Sequence, residues 1–151
     1  MAISLYYANQ LILGGTEGYI TGFIPHDFNS LKKCTLLFNP EDTNPALALT
    51  INISAGAVGE LCTIKNSVLN DVAISVVQHQ VFEVDITAFI AALVPSNIEA
   101  NDYFGVQITN LGTDIYSMGM NLVYKSSNVQ NGIVHEIEKF YHAPELIEGG
   151  N

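Results

Sequence analysis

A chain of 151 residues is long enough for one domain with a sizeable apolar core. All five basic residues are lysines, and a net charge of −10 argues against direct contact with nucleic acid or an anionic membrane surface. Only 13% of residues are charged and 48% are hydrophobic, so few charges remain to solvate the outer faces, which reads as surface covered by other chains in a homo-oligomer or a larger particle.

Ile3 to Leu13 reads as a first strand or strand pair ending at Gly14-Gly15. Gly18 to Pro25 is a second, with Tyr19, Thr21 and Phe23 opposite Ile20, Gly22 and Ile24. His26 to Ser30 is a loop, Lys33 to Asn39 a third strand, and the proline-bracketed stretch Asn39 to Pro45 a loop again. Leu47, Leu49, Ile51 and Ile53 then alternate with Ala48, Thr50, Asn52 and Ser54, the cleanest strand pattern in the chain. After a turn at Ala55-Gly56-Ala57, Val58 to Lys65 and Val72 to His79 read as further strands. Cys34 and Cys62 sit in strand-like contexts and read as buried thiols acting as small apolar groups, not as a disulfide.

Val81 to Ile86 has strand composition, and the spacing then becomes helical. Asp85 is placed to cap a helix over about 86–94, with Val84 and Phe89 at the spacing of a hydrophobic staple. Ile86, Phe89, Ile90 and Leu93 share one face, and Pro95 ends the element. So short a helix is unstable alone and is expected to plug one end of a sandwich. Asp102 to Thr109 and Asp114 to Lys125 are strands joined across Asn110-Leu111-Gly112-Thr113. Strict alternation puts Tyr116, Met118, Met120, Leu122 and Tyr124 on one face. Gly105 and Gly119 leave room for a neighbouring backbone or ring.

Ser126-Ser127-Asn128 breaks this last strand, giving a sandwich domain over 1–128 and a C-terminal arm over 129–151. Asn131-Gly132 suits a hairpin turn into a returning strand. The i, i+4, i+7, i+8 spacing of Ile133, Ile137, Phe140 and Tyr141 predicts a helix instead. These four side chains are the expected interface, packed on a neighbouring subunit.

About eight or nine strands at 8–12-residue spacing, with one helix, predict an all-β antiparallel sandwich. Val84-Asp85-Ile86-Thr87, the short helix, Asp102 to Ile108 and Gly119 to Tyr124 together resemble the later half of jelly-roll domains. Such domains occur in carbohydrate-binding modules and in small structural proteins of phage and virus particles. The resemblance implies a jelly-roll-like fold and leaves sugar binding and assembly both open.

His26-Asp27 has no nucleophile motif beside it and reads as a polar loop pair. His79, Glu83 and Asp85 alternate along one strand, with no second cluster to complete a metal shell. Glu41 to Asn44 reads as a rigid turn. No catalytic residue, metal or cofactor is therefore expected. Tryptophan, a common sugar platform, is absent, which leaves Tyr103, Tyr116 and Tyr124 as candidate ligand-facing aromatics. The start lacks a basic n-region, and no apolar run approaches the roughly 20 residues of a membrane span. The expectation is a non-enzymatic virion protein, a capsid decoration or small head or tail component made in the host cytoplasm. The alternative is a carbohydrate-binding module on a receptor-binding appendage.

Overall fold

Alternating side chains build two layers that close on one apolar interior. The computed structural model describes residues 10–61, 64–130 and 132–141. The expected strand before Gln10, Cys62 and the arm beyond Tyr141 lie outside the described residues. In chain order come β1 (Gln10–Ile12), β2 (Glu17–Phe23), β3 (Phe28–Pro40), β4 (Asn44–Gly56), β5 (Lys65–Asn66), β6 (Asn70–Val76) and β7 (Phe82–Asp85). Helix α1 (Thr87–Ala91), β8 (Val94–Pro95), β9 (Tyr103–Asn110), β10 (Ile115–Gln130) and β11 (Ile133–Tyr141) follow.

The five-stranded sheet has the order β1-β10-β3-β7, with β11 also on β10. β3 takes one edge of β10 from Ile115 to Ser126, so β1 and β11 share the other edge end to end. In the six-stranded sheet the order is β2-β9-β4, with β6 and β5 sharing the far edge of β4 and β8 added to β5. All pairings are antiparallel. The chain changes sheet from β1 to β2, β2 to β3 and β3 to β4, and again from β6 to β7, β7 to β8 and β9 to β10. Main ladders 1-10-3-7 and 2-9-4-6 with these crossings make a jelly roll.

The inward faces supply the core. Leu47, Leu49, Ile51, Ile53 and Ala55 of β4 and Phe104, Val106 and Ile108 of β9 are buried. They join Cys34, Leu36 and Phe38 of β3 and Met120, Leu122 and Tyr124 of β10 in one cluster. Burying each Ile or Leu stabilises the fold by about 1.5–3 kcal/mol, so the core residues dominate its stability. Cys34 behaves as expected: burial pushes its thiol up to about 12.

The helix buries Ile86, Ile90 and Leu93 at the end of the core, as a plug should. It starts one residue later than the capping pattern suggested. The Asp85 carboxylate accepts the Thr87 N–H at 2.9 Å and the Thr87 hydroxyl at 2.6 Å, which holds its pKa down. Thr87 Oγ1 in turn accepts the Cys34 N–H at 2.9 Å, tying the helix to β3. Phe89 is only partly buried, so Ile90, not Phe89, is the deep anchor.

Three sequence readings need correction. Among the described residues, Val58 to Ile64 form no strand: residues 57–60 turn, with the Glu60 N–H donating to the Ala57 carbonyl, and Lys65-Asn66 pairs with β4. Tyr116 and Met118 do not share a face with Met120, Leu122 and Tyr124. Ser117 pairs with Phe38 and Gly119 with Leu37, so Met118 is an extra residue, a bulge that reverses the phase. Ile115 and Ser117 therefore point inward before it, and Met120, Leu122 and Tyr124 after it.

The third is the C-terminal segment: Ser126-Ser127-Asn128 does not break β10, which runs on to Gln130, and the predicted helix at Ile133–Tyr141 is β11, paired with β10 from Met120↔Tyr141 to Gln130↔Ile133, with Gly132 at φ +77° in the turn. A strand wins because the long edge of β10 offers it backbone partners that an exposed short helix would lack. In this strand Ile137 and Tyr141 share a face with His135 and Lys139. That face lies at the rim of the sandwich, where a crevice of about 470 Å³ lined by Phe23, Pro25, His26, Asp27, Tyr124, Ile137, Lys139 and Tyr141 admits solvent. Lys139 can stand beside apolar neighbours there because its ammonium reaches water.

The two flagged glycines differ. At Gly119, φ is +135°, and a Cβ would lie 2.8 Å from the Phe140 ring and close against the Tyr141 carbonyl oxygen. At Gly105, a Cβ would meet nothing within 4 Å. Gly119→Ala is expected to lose about 2–4 kcal/mol through strain and clash. Gly105→Ala should change stability by no more than about 0.5 kcal/mol. Urea unfolding of both variants checks the pair; equal losses would mean the bulge is misplaced.

Candidate functional site

The outward face of β2, β9 and β4 carries the side chains the core does not take. Register sets them in rows: Phe23, Tyr103 and Gly56; then Thr21, Gly105 and Ser54; then Tyr19, Gln107 and Asn52. The middle row holds only small groups between two rows bearing aromatics. Phe23 and Tyr103 form a wall, their ring centroids 5.0 Å apart at 58°. Hollows of about 360 Å³ on the Tyr103 side and about 230 Å³ on the Tyr19 side both include Ser54 and Gly105 in their linings. They form one trough across the sheet with Gly105 in its floor.

The polar groups of the trough are held in place. Glu17 Oε2 accepts the Tyr19 hydroxyl at 2.7 Å and Gln107 Nε2 at 2.9 Å, and Gln107 Nε2 also lies 3.3 Å from the Tyr19 oxygen. The Glu17 bond raises the Tyr19 phenol above its usual pKa. Asn52 Oδ1 accepts the Ser67 hydroxyl at 3.1 Å, and the Ser54 hydroxyl donates to Asn66 Oδ1 at 3.1 Å. These bonds leave the Asn52 amide NH₂ as a donor and the Gln107 carbonyl as an acceptor, on adjacent strands.

Behind the Tyr103 wall lies a buried ion cluster. Lys65 is 2% exposed and Asp102 1%. The Lys65 ammonium lies 2.6 Å from Asp102 Oδ2, 3.1 Å from Glu99 Oε2 and 3.9 Å from Glu60 Oε2. Asp102 Oδ2 also accepts the Glu99 N–H at 2.7 Å, and Glu60 Oε2 accepts the Ala57 N–H at 2.9 Å. Burial pulls the Lys65 pKa down, but hydrogen bonds to Asp102 and Glu99 outweigh it and the net shift is upward. The cluster fixes the residue before Tyr103 and the loop after Gly56, and so sets one end of the trough.

A third feature is apolar. Val58, Leu61, Val68 and Leu69 are exposed on the loops entering and leaving β5, and Val94, also exposed, stands opposite Asn66. Their loops gather at one corner of the six-stranded sheet.

Of the three tyrosines singled out in the sequence, Tyr103 faces the trough. Tyr116 lies on the outer face of the other sheet, turned there by the bulge. Tyr124 is buried, and its hydroxyl donates to Asp27 Oδ1 at 2.8 Å. Burial and that carboxylate raise its pKa, while Tyr124 and Ser126 together hold Asp27 low. Asp27 is therefore occupied in fastening its loop to β10. Glu83 is paired with Lys33 at 3.6 Å. Among the described residues no group of three or more His, Cys, Asp or Glu is placed to hold a metal ion.

The four arm residues divide. Ile133 and Phe140 are exposed, whereas Ile137 and Tyr141 pack against the core. Tyr141 meets Phe104 edge-on at 5.6 Å, and its hydroxyl donates to the Phe23 carbonyl. Tyr19, Phe23 and Gln107 were not singled out, although alternation already placed Tyr19, Thr21 and Phe23 on one face. Lys65 and Asp102, 37 positions apart, carry no local signal of their pairing.

No family model matches the chain, and no curated protein matches it. A Thermotoga maritima protein described as "Thermotoga maritima 1070" aligns at 13% identity and TM-score 0.37, over 87% of this chain and 97% of that one. The Anabaena sensory rhodopsin transducer aligns at 15% and 0.36, over 70% and 96%.

Lys65→Met strands a buried carboxylate and should cost about 3–5 kcal/mol. The double variant Lys65→Met, Asp102→Leu should recover most of that loss. Because folding raises the Lys65 pKa, its stabilisation is whole below the unfolded value near 10.5 and is lost as pH rises through the folded value. Denaturant unfolding from pH 8 upward should show that decline above about 10.5, and the double variant should show less of it.

Proposed function

We propose that the chain is a non-enzymatic structural protein that works through protein–protein contacts, in concrete form a component of a virus or phage particle such as a capsid decoration protein. The observation that carries the assembly reading is the apolar corner. Val58 is 85% exposed, Val68 75%, Leu61 73% and Leu69 66%. Four aliphatic side chains held in water on neighbouring loops leave transfer free energy unused, on the order of 1.5–3 kcal/mol for each if fully buried. A protein surface that covers them recovers it. The low charged fraction supports the same reading, and the particle assignment adds the jelly-roll architecture to it.

Sedimentation velocity over a concentration series is expected to show reversible association in the micromolar range. Replacing Val58, Leu61, Val68 and Leu69 together by serine should shift the chain to monomer without lowering its melting temperature. A monodisperse wild-type monomer at about 100 µM, with no binding of a hydrophobic dye, would count against self-assembly and with it this reading.

A further inference from the structure

We propose that the trough over Gly105 on the outer face of the six-stranded sheet is a binding site for a neutral saccharide. This goes beyond the assembly reading and uses a different surface. Three properties select the ligand class.

The first is shape. Tyr19 lies four residues along β2 from Phe23, and Gln107 four along β9 from Tyr103, a separation of roughly 13 Å at about 3.3 Å per residue. Between them Thr21, Gly105 and Ser54 form a shallow floor, and the space above Gly105 is open. That is room for a pyranose ring with aromatic faces at both ends. Tyr19, Phe23 and Tyr103 are all exposed there. Aromatic rings in water carry apolar area with a polar rim, suited to the C–H face of a sugar ring.

The second is hydrogen bonding. Vicinal sugar hydroxyls each donate and accept. The Asn52 amide donor and the Gln107 carbonyl acceptor, adjacent across β4 and β9, match such a pair. Both side chains are already oriented by a bond at the other end, so little ordering entropy is lost on binding.

The third is charge. The three rows carry no lysine, and acids stand at both rims, Glu17 at one and Glu60 at the other. Such a face repels anions, which removes phosphates, nucleic acids and acidic sugars. It also lacks the continuous apolar cover that a packed protein interface has at its centre.

The test uses the full-length ¹⁵N-labelled chain titrated by NMR with methyl glycosides of glucose, galactose, mannose and N-acetylglucosamine, and with their β-linked disaccharides. At least one probe is expected to shift Thr21, Gly105, Asn52 and Gln107 saturably, with a millimolar or tighter dissociation constant. Gly105→Val fills the floor at a strand position where a Cβ meets nothing within 4 Å and a β-branched residue is suited, so the fold should be kept. It should weaken binding at least about tenfold, and Gln107→Ala should do the same. No saturable shift with any probe up to about 50 mM, or binding that Gly105→Val leaves unchanged, would overturn the proposal. So would a Gly105→Val chain that loses self-association instead, which would make the trough a protein contact.

Discussion

The buried pair of Lys65 and Asp102 is the constraint on which the exposed surfaces depend. An ammonium and a carboxylate taken out of water each lose several kcal/mol of hydration. The loss is offset only by close geometry: 2.6 Å between the charges, a second carboxylate at 3.1 Å and a backbone N–H on the same Asp102 oxygen. Such a cluster tolerates little displacement, so it fixes what surrounds it. Lys65 belongs to β5, whose two residues are the anchor between two loops bearing exposed apolar side chains. Asp102 immediately precedes Tyr103, one ring of the aromatic wall. A single pair thus sets the corner of the sheet and one end of the trough.

The strands of the sandwich were legible because their signals are local. Strands of this kind follow from period-two alternation, and the glycine and asparagine turns separate them. Leu47 to Ile53 shows this: its buried and half-buried residues alternate as written in the sequence. Where a residue is inserted, the same rule misleads. Met118 looks like one more inward residue, yet the bulge puts Ser117 and Met120 inward instead. The cue was Gly119, whose backbone no other residue adopts without strain. The C-terminal segment failed for another reason. Its helical spacing is real, but the free edge of β10 decided for the strand, the outcome that the Asn131-Gly132 turn signal had offered.

The trough was half legible. Alternation on Gly18 to Pro25 and on Leu47 to Ser54 gives the composition of two outward faces. It does not say that β9 lies between them, that Thr21, Gly105 and Ser54 fall in one row, or that a glycine without a neighbour makes a floor. Those are facts of strand order. Tyr103 could be named from the sequence as a candidate ligand-facing aromatic, whereas its partner Phe23 needed the pairing of Phe23 with Tyr103. Tyr124 illustrates the converse. Alternation carries it with Met120 and Leu122 into the core, and a tyrosine in a core must find a hydrogen-bond partner. It finds Asp27, so its hydroxyl is spent on structure.

Position on the sheet decides whether the two proposed roles compete. The apolar corner projects from the edge beyond β4, on the loops around β5 and opposite β8. The trough crosses β2, β9 and β4 on the sheet's outer face. A contact seated on the corner would approach from the side and leave Tyr19, Thr21, Phe23 and Gln107 uncovered. The strand between them, β4, contributes Asn52 and Ser54 to the trough through the same segment that pairs with β5. Those two side chains are oriented by Ser67 and Asn66, which belong to β5 and its exit loop. Both proposed surfaces therefore draw on β4 and on the exit loop of β5, one from the edge of the sheet and one from its face.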